Sequence, residues 1–227
     1  VGPNNLVYVS EHQNHRVSVF TLAGAFVRSF GARDPSDPTS VGRLQYPVAL
    51  DVDATGHVFV ADYLNNRIQE FLLDGTFVAS LASGLVSGPY GVRVAPDGTL
   101  WVGEYDGSFV RRFSTAGVPL GAWGGYGTGP GFFSSPETVT FDPAGNVYVV
   151  DKGNDRIQVF DPAMNFICSF GSTGTGAANL DVPTDLEFDG LGRMVITDYA
   201  NNRIRIWGFA PTAAIRSTWG SLKLRYR

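Results

Sequence analysis

The sequence is short of several things, and each shortage excludes something. It has one cysteine, Cys168, in 227 residues, so neither an internal disulfide framework nor a multi-cysteine zinc site is available. Three histidines, His12, His15 and His57, leave little for imidazole metal chemistry. Charged residues make up 17% of the chain, below the ~25% usual in globular proteins, while the apolar share of 44% is ordinary for a folded domain. No stretch approaches the ~20 apolar residues of a membrane span, and no basic segment leads into an apolar core as in a signal peptide. The composition is that of a soluble chain of undefined compartment. Lysine is nearly absent, two against fifteen arginines, and the net charge is −4, which disfavours a broad electrostatic nucleic-acid binder.

What the chain has in abundance is repetition. Five segments align: VYVSEHQNHRVSVF from Val7, VFVADYLNNRIQEF from Val58, LWVGEYDGSFVRRF from Leu100, VYVVDKGNDRIQVF from Val147 and MVITDYANNRIRIW from Met194. Their start-to-start spacings are 51, 42, 47 and 47 residues. Periods of this length, with several strands in each, belong to propeller blades and not to helical solenoids. Val, Ile, Tyr, Phe and Trp dominate runs of four to six residues bounded by Gly, Pro, Asn and Asp, which is strand composition with turn punctuation.

The second period shows the pattern. Strands are expected over Val48–Val52, Val58–Ala61, Arg67–Leu72 and Phe77–Leu81. Turns are expected at Asp53-Ala54-Thr55-Gly56, Leu64-Asn65-Asn66 and Asp74-Gly75, where Gly, Asn or Asp accepts positive φ. Runs such as Val147-Tyr148-Val149-Val150 are apolar at consecutive positions, so both faces of these strands should be covered. The expected architecture is all-β, a propeller of four-stranded blades forming one domain over residues 1–227, with repeats at about 1–40, 41–88, 89–133, 134–180 and 181–227.

The shared pattern V-x-V-x-D-x-x-N-x-R-I-x-x-F resembles the NHL repeat across essentially the whole chain. Asp62, Asn65, Arg67, Ile68 and Phe71 match it fully, as do Asp151, Asn154, Arg156, Ile157 and Phe160. Asp198, Asn201, Arg203 and Ile204 match with Trp207 in the Phe place. The first repeat keeps Glu11, Arg16, Val17 and Phe20, and the third keeps Glu104 but has Phe109 where the arginine belongs. The resemblance implies a ring that usually has six blades. Five periods fill this chain, so a six-bladed ring lacking one blade is expected. In the alternative, a closed five-bladed ring, Leu222–Arg227 would supply the innermost strand missing before Val1–Asn5, beside a fourth-type strand at Ala214–Gly220.

Because Glu11, Asp62, Glu104, Asp151 and Asp198 recur in every blade with Arg16, Arg67, Arg156 and Arg203, the acid–arginine pair reads as scaffold. A carboxylate flanking a turn can cap backbone N–H groups, and a guanidinium fork can hold carboxylate or carbonyl oxygens. On this reading Phe109 marks a blade that exchanged its ion pair for an apolar contact.

Function should then lie in the residues that do not repeat. On the rim formed by the second-to-third-strand turns and the blade-to-blade loops, these include His12, Tyr63, Tyr105, Lys152 and Tyr199 after the acid, and Tyr90 and Glu137 after the proline that opens a blade. Tyrosine-rich rims suit protein or peptide recognition, so the chain is expected to be a non-enzymatic binding or scaffold propeller with no cofactor and no metal. An enzyme reading, a lyase or hydrolase at the channel mouth, is the alternative. The three-histidine metal site that amidating-lyase relatives of the fold would imply cannot form, because His57 lies on the opposite rim. Single-stranded RNA binding through Tyr63, Tyr90, Tyr105, Tyr199, Lys152 and Arg43 is a further alternative, opposed by the acidic balance. The glycine-rich stretches Gly124–Gly131 and Gly171–Gly176 fit neither dinucleotide nor Walker spacing and have no following helix, so they read as blade connectors.

Overall fold

The structure, a computed structural model, describes residues 1–208 apart from Pro35 and Pro38. The strands expected at Ala214–Gly220 and Leu222–Arg227 lie outside the described residues. The first sheet contains β1 (Leu6–Glu11), β2 (Arg16–Thr21) and β3 (Phe26–Phe30). The second contains β4 (Pro47–Val52), β5 (His57–Asp62), β6 (Arg67–Leu72) and β7 (Phe77–Leu81). The third contains β8 (Pro89–Val94), β9 (Leu100–Glu104), β10 (Phe109–Phe113) and β11 (Pro119–Gly124). The fourth contains β12 (Pro136–Phe141), β13 (Val147–Asp151), β14 (Arg156–Phe160) and β15 (Phe166–Phe170). The fifth shows β16 (Pro183–Phe188), β17 (Met194–Asp198) and β18 (Arg203–Trp207).

Every sheet is an antiparallel meander in chain order, because each turn is short and carries a residue that takes positive φ, such as Gly56, Asn66 and Gly75 in the second blade. The innermost strands β4, β8, β12 and β16 pack side by side around an axis, with β1 beside β4. The molecule is an all-β propeller with five blades visible.

The consecutive apolar runs are explained by packing on both faces. Side chains alternate along a strand, so β5 sends Val58 and Val60 into the core shared with the first blade, and Phe59 and Ala61 into the core shared with the third. Likewise β13 sends Val147 and Val149 toward the third blade, and Tyr148 and Val150 toward the fifth. All eight side chains are buried. Burying such a chain contributes roughly 1.5–3 kcal/mol for each large residue, so the blade faces hold the ring together and the loops are free to vary.

Candidate functional site

Two backbone features, repeated in each complete blade and in the fifth, build the rim. The pairing of the innermost strand with its neighbour slips at the opening proline, between Pro47 and Leu50, Pro89 and Gly91, Pro136 and Val139, and Pro183 and Asp185. The residue after the proline sits in this bulge, a device that re-aims a side chain out of the ladder. Val48, Tyr90, Glu137 and Thr184 occupy it, and all four line a central cavity of about 600 Å³. The turn between second and third strands ends in a left-handed residue: His15, Asn66, Ser108, Asp155 and Asn202. It presents the residue after the acid next to the bulge.

Five of the seven candidate rim residues meet there. The Tyr63 and Tyr90 rings contact edge to face at 5.8 Å, and Tyr90 and Tyr105 lie 5.2 Å apart at a 31° tilt. Lys152 Nζ stands 5.6 Å from the Tyr90 ring centre and 5.1 Å from that of Tyr105, and donates to Glu137 Oε1 at 2.5 Å. The Tyr63 hydroxyl reaches Asp106 Oδ1 at 3.4 Å. The cluster therefore crosses three blades. His12 and Tyr199 lie elsewhere on the rim. His12 packs edge-on against Tyr46 at 4.4 Å, beside His15, and the Tyr199 side chain is exposed.

Glu137 is the electrostatic centre of the mouth. Its side chain is 1% exposed, and its second oxygen, Oε2, has no hydrogen-bond partner among the described residues. Burial pushes its carboxyl up to about 7; Lys152 pulls it down, and the Asp185 carboxylate adds to the rise. For Lys152, burial opposes the charge, but the hydrogen bond and attraction to Glu137 prevail and hold its ammonium above the ordinary lysine value. Burial also raises the Tyr90 phenol, with Glu137 contributing. Deeper in the channel, Arg93 on β8 reaches past β12 to pair with Glu187 on β16, and lies 3.9 Å from Asp51 on β4.

A signal missed in the sequence is a pair of glycines. A Cβ on Gly91 would lie 2.0 Å from the Glu137 carbonyl oxygen, and one on Gly103 would lie 2.5 Å from it. The other complete blades carry Ala49 and Ala61, or Thr138 and Val150, at these places. Their absence of side chain lets the backbone of Glu137 come close to the third blade, under the two tyrosines.

The repeated acid–arginine pairs have a different task. Arg67 Nε donates to Asp62 at 2.7 Å, and its other nitrogens hold the carbonyls of Thr39, Ser40 and Arg43. Arg156 binds Asp151 at 2.7 Å and the carbonyls of Thr128, Gly129 and Phe132. Arg203 binds Asp198 at 2.6 Å and the carbonyls of Thr175, Gly176 and Asn179. Each acid also accepts a backbone N–H from the incoming connector: Gln45, Ser134 or Asp181. In the first blade Arg16 pairs with Glu11 at 3.1 Å. The glycine-rich connectors are thus clamped to their own blades.

The third blade corrects one expectation. It has not lost its ion pair to Phe109, because Glu104 pairs instead with Arg111. Residues two apart on a strand share a face, so Arg111 approaches the same carboxylate, and the guanidinium lies 5.2 Å from the Phe109 ring. Burial still raises the Glu104 carboxyl despite that arginine.

Cys168 is half-buried in β15, its thiol pushed up by burial. Among the described residues no group of three or more His, Cys, Asp or Glu side chains is placed to hold a metal ion, and no helix is long and apolar enough to cross a membrane.

Comparison with known proteins fits this geometry. The NHL repeat family model matches residues 44–71 and 133–160, each running from a buried connector anchor, Leu44 or Phe133, to the end region of the third strand. A search of curated proteins finds no match. Among solved structures, a streptogramin B lyase is similar at a TM-score of 0.67 and 18% identity, over 89% of this chain and 62% of that one. Virginiamycin B lyase from Staphylococcus aureus is similar at 0.63 and 17%, over 91% and 67%. A chain of a nidogen/laminin complex is similar at 0.68 and 18%, over 88% and 70%. At these identities the likeness is one of fold, and the chain spans less than two thirds of the streptogramin B lyase. In architecture the chain is a β-propeller, and two of its blades match the NHL repeat.

Proposed function

We propose that this propeller is a binding module whose loop rim recognises a polypeptide at the mouth of the channel. The observation that carries the reading is the continuous contact from Tyr63 through Tyr90 and Tyr105 to Lys152 and Glu137, assembled by three blades on one rim. Tyrosines beside a few charged groups are the composition of binding hot spots, since they bring large amphipathic area at low entropic cost. Tyr199 and His12, placed around the same rim, would extend the contact. One of the structurally similar chains comes from a nidogen/laminin complex, which agrees with protein recognition as a use of the fold. RNA is the weaker partner, because Lys152 at the mouth is paired with Glu137, and Asp106 beside Tyr63 and Asp185 beside Glu137 add negative charge.

The test is selection of displayed peptides on the purified protein, followed by titration against wild type, Tyr63→Ala and Tyr105→Ala. Selected peptides should lose about tenfold or more in affinity on either substitution, as for hot-spot tyrosines. Peptides indifferent to both changes would place recognition elsewhere, and a salt-sensitive RNA shift lost with the tyrosines would replace polypeptide by RNA.

A second reading, a lyase or hydrolase at the same mouth, is favoured by one observation: a carboxylate 1% exposed, that of Glu137, lines the central cavity, and burial pushes it up to about 7, the range suited to a general base. Turnover abolished by Glu137→Gln with folding intact would support it.

A further inference from the structure

Lys152 stands out in a chain that uses arginine almost everywhere else. Arginines clamp the connectors through several carbonyls each, a task that suits a planar fork. Lys152 makes no such contact among the described residues. Its ammonium sits over two tyrosine rings, at 5.1 and 5.6 Å, with one oxygen of a buried carboxylate 2.5 Å away. Aromatic faces plus a carboxylate are what a protein provides to hold a cation taken out of water. The side chain reaching in is 19% exposed at the channel mouth, on a flexible stem that can leave without unfolding anything.

The carboxylate is not used up by this lysine. Glu137 Oε2 is buried and has no partner, an arrangement that natural interiors seldom leave unanswered. Asp185 faces it as a further negative charge, and Glu187 lines the channel below, so the field at the mouth favours cations over anions. From the cage, the unanswered oxygen and the acidic channel, we infer that Tyr90, Tyr105 and Glu137 form a recognition site for a primary ammonium group, and that Lys152 is its built-in, displaceable occupant. Resting on the polypeptide reading above, the incoming ammonium belongs to a lysine side chain of the partner. Affinity is held down by self-competition: binding requires Lys152 to swing into solvent.

Two probes test this on the full chain, n-butylammonium and the blocked tripeptide acetyl-Gly-Lys-Gly-amide, with n-butyrate as the anionic control. Binding is followed by the tyrosine ring signals in NMR at about pH 9, above the value of about 7 for Glu137 in wild type and where an alkylammonium is still charged, with the Glu137 carboxyl carbon-13 signal showing that it is ionised in Lys152→Ala. Wild type should bind both cations weakly. Lys152→Ala should bind them at least tenfold more tightly, Lys152→Arg should keep the weak wild-type affinity, and Lys152→Ala with Glu137→Gln should lose the gain. Butyrate should bind none of the four proteins. No tightening in Lys152→Ala with a native amide spectrum, or tighter binding of butyrate, overturns the cage. Tighter binding of the tripeptide than of the free amine supports a polypeptide source. The reverse order would retain the cage and overturn the polypeptide as its occupant, whatever the peptide selection shows.

Discussion

Asp155 in the fourth blade accepts the backbone N–H of Val182 in the connector to the fifth, at 2.8 Å. Both residues are left-handed, with φ of 53° and 54°. The relationship recurs around the ring: Asn66 Oδ1 accepts from Gly88 at 2.7 Å, and His15 Nδ1 accepts from Tyr46 at 3.0 Å. The residue that closes one blade's turn thereby fixes the backbone just before the next blade's opening proline. For Val182 the bond carries extra weight, because a β-branched side chain disfavours positive φ.

Asp155→Ala should therefore destabilise the protein by about 1–3 kcal/mol, through the lost acceptor and a less tolerant left-handed residue. Asp155→Asn keeps an acceptor and should cost about 0.5 kcal/mol or less. Urea unfolding monitored by tryptophan fluorescence gives both values. Equal stability of the two variants would show that the interblade bond contributes nothing.

The connector clamp makes a stronger claim. Asp151 is fully buried and Arg156 is partly buried, and removing the arginine, which leaves a buried carboxylate uncompensated, should cost about 3 kcal/mol. Arg156→Ala should also release the carbonyls of Thr128, Gly129 and Phe132, so amide exchange should accelerate over residues 125–133 before it does in β13. Arg156→Lys keeps the charge but lacks the fork, and should recover less than half of the loss. Unchanged exchange in that segment would mean the arginine serves only the carboxylate.

The sequence carried the fold because each blade repeats the same physical solution. The strands at Arg67–Leu72 and Phe77–Leu81 were legible to the residue, since branched and aromatic runs and Asp-Gly turns leave little latitude. The site was legible only by subtraction, as the non-repeating residues after Asp151 or Pro136. That approach collected Tyr63, Tyr90, Tyr105, Glu137 and Lys152, which meet, together with His12 and Tyr199, which do not join them. Contact between blades depends on ring geometry that no single period encodes. The same limit explains Arg111: its pairing with Glu104 is visible only when strand faces are known, so Phe109 looked like a lost ion pair. The glycines at 91 and 103 gave no local signal, because neither has the positive φ that marks a turn. Their meaning is the carbonyl of Glu137 pressed against them.

That close approach is testable. A Cβ at Gly103 would also lie 3.1 Å from the Pro136 carbonyl oxygen, so both obstacles are backbone and β12 must shift. Gly103→Ala should cost about 1–3 kcal/mol, as overpacking does, although Ala61 occupies the same place in the second blade. The chemical shift of the Glu137 carboxyl should move as well. A variant of wild-type stability with an unmoved Glu137 signal would show that the spacing is not set by these glycines.

The last expectation concerns pH. Burial lifts the Glu137 carboxyl from an ordinary 4.5 to about 7, so between those values the folded protein holds a proton that the unfolded chain has released. Stability from this group is then fully present below the unfolded value and falls as pH rises, until the folded group has ionised near 7. The loss is on the order of 3 kcal/mol, at about 1.36 kcal/mol for each pH unit. Glu137→Gln should remove this slope, leaving a variant less stable than wild type in mild acid by no more than its altered packing and of flatter profile up to neutrality. Lys152→Ala should move the Glu137 midpoint further up, because the cation that favours the carboxylate is gone. Carbon-13 titration of the glutamate carboxyls checks the midpoint directly, and thermal melts from about pH 4.5 to 8 check the slope. A Glu137 midpoint near 4.5 in wild type, or a slope unchanged in Glu137→Gln, would show that burial does not hold the proton on this carboxyl.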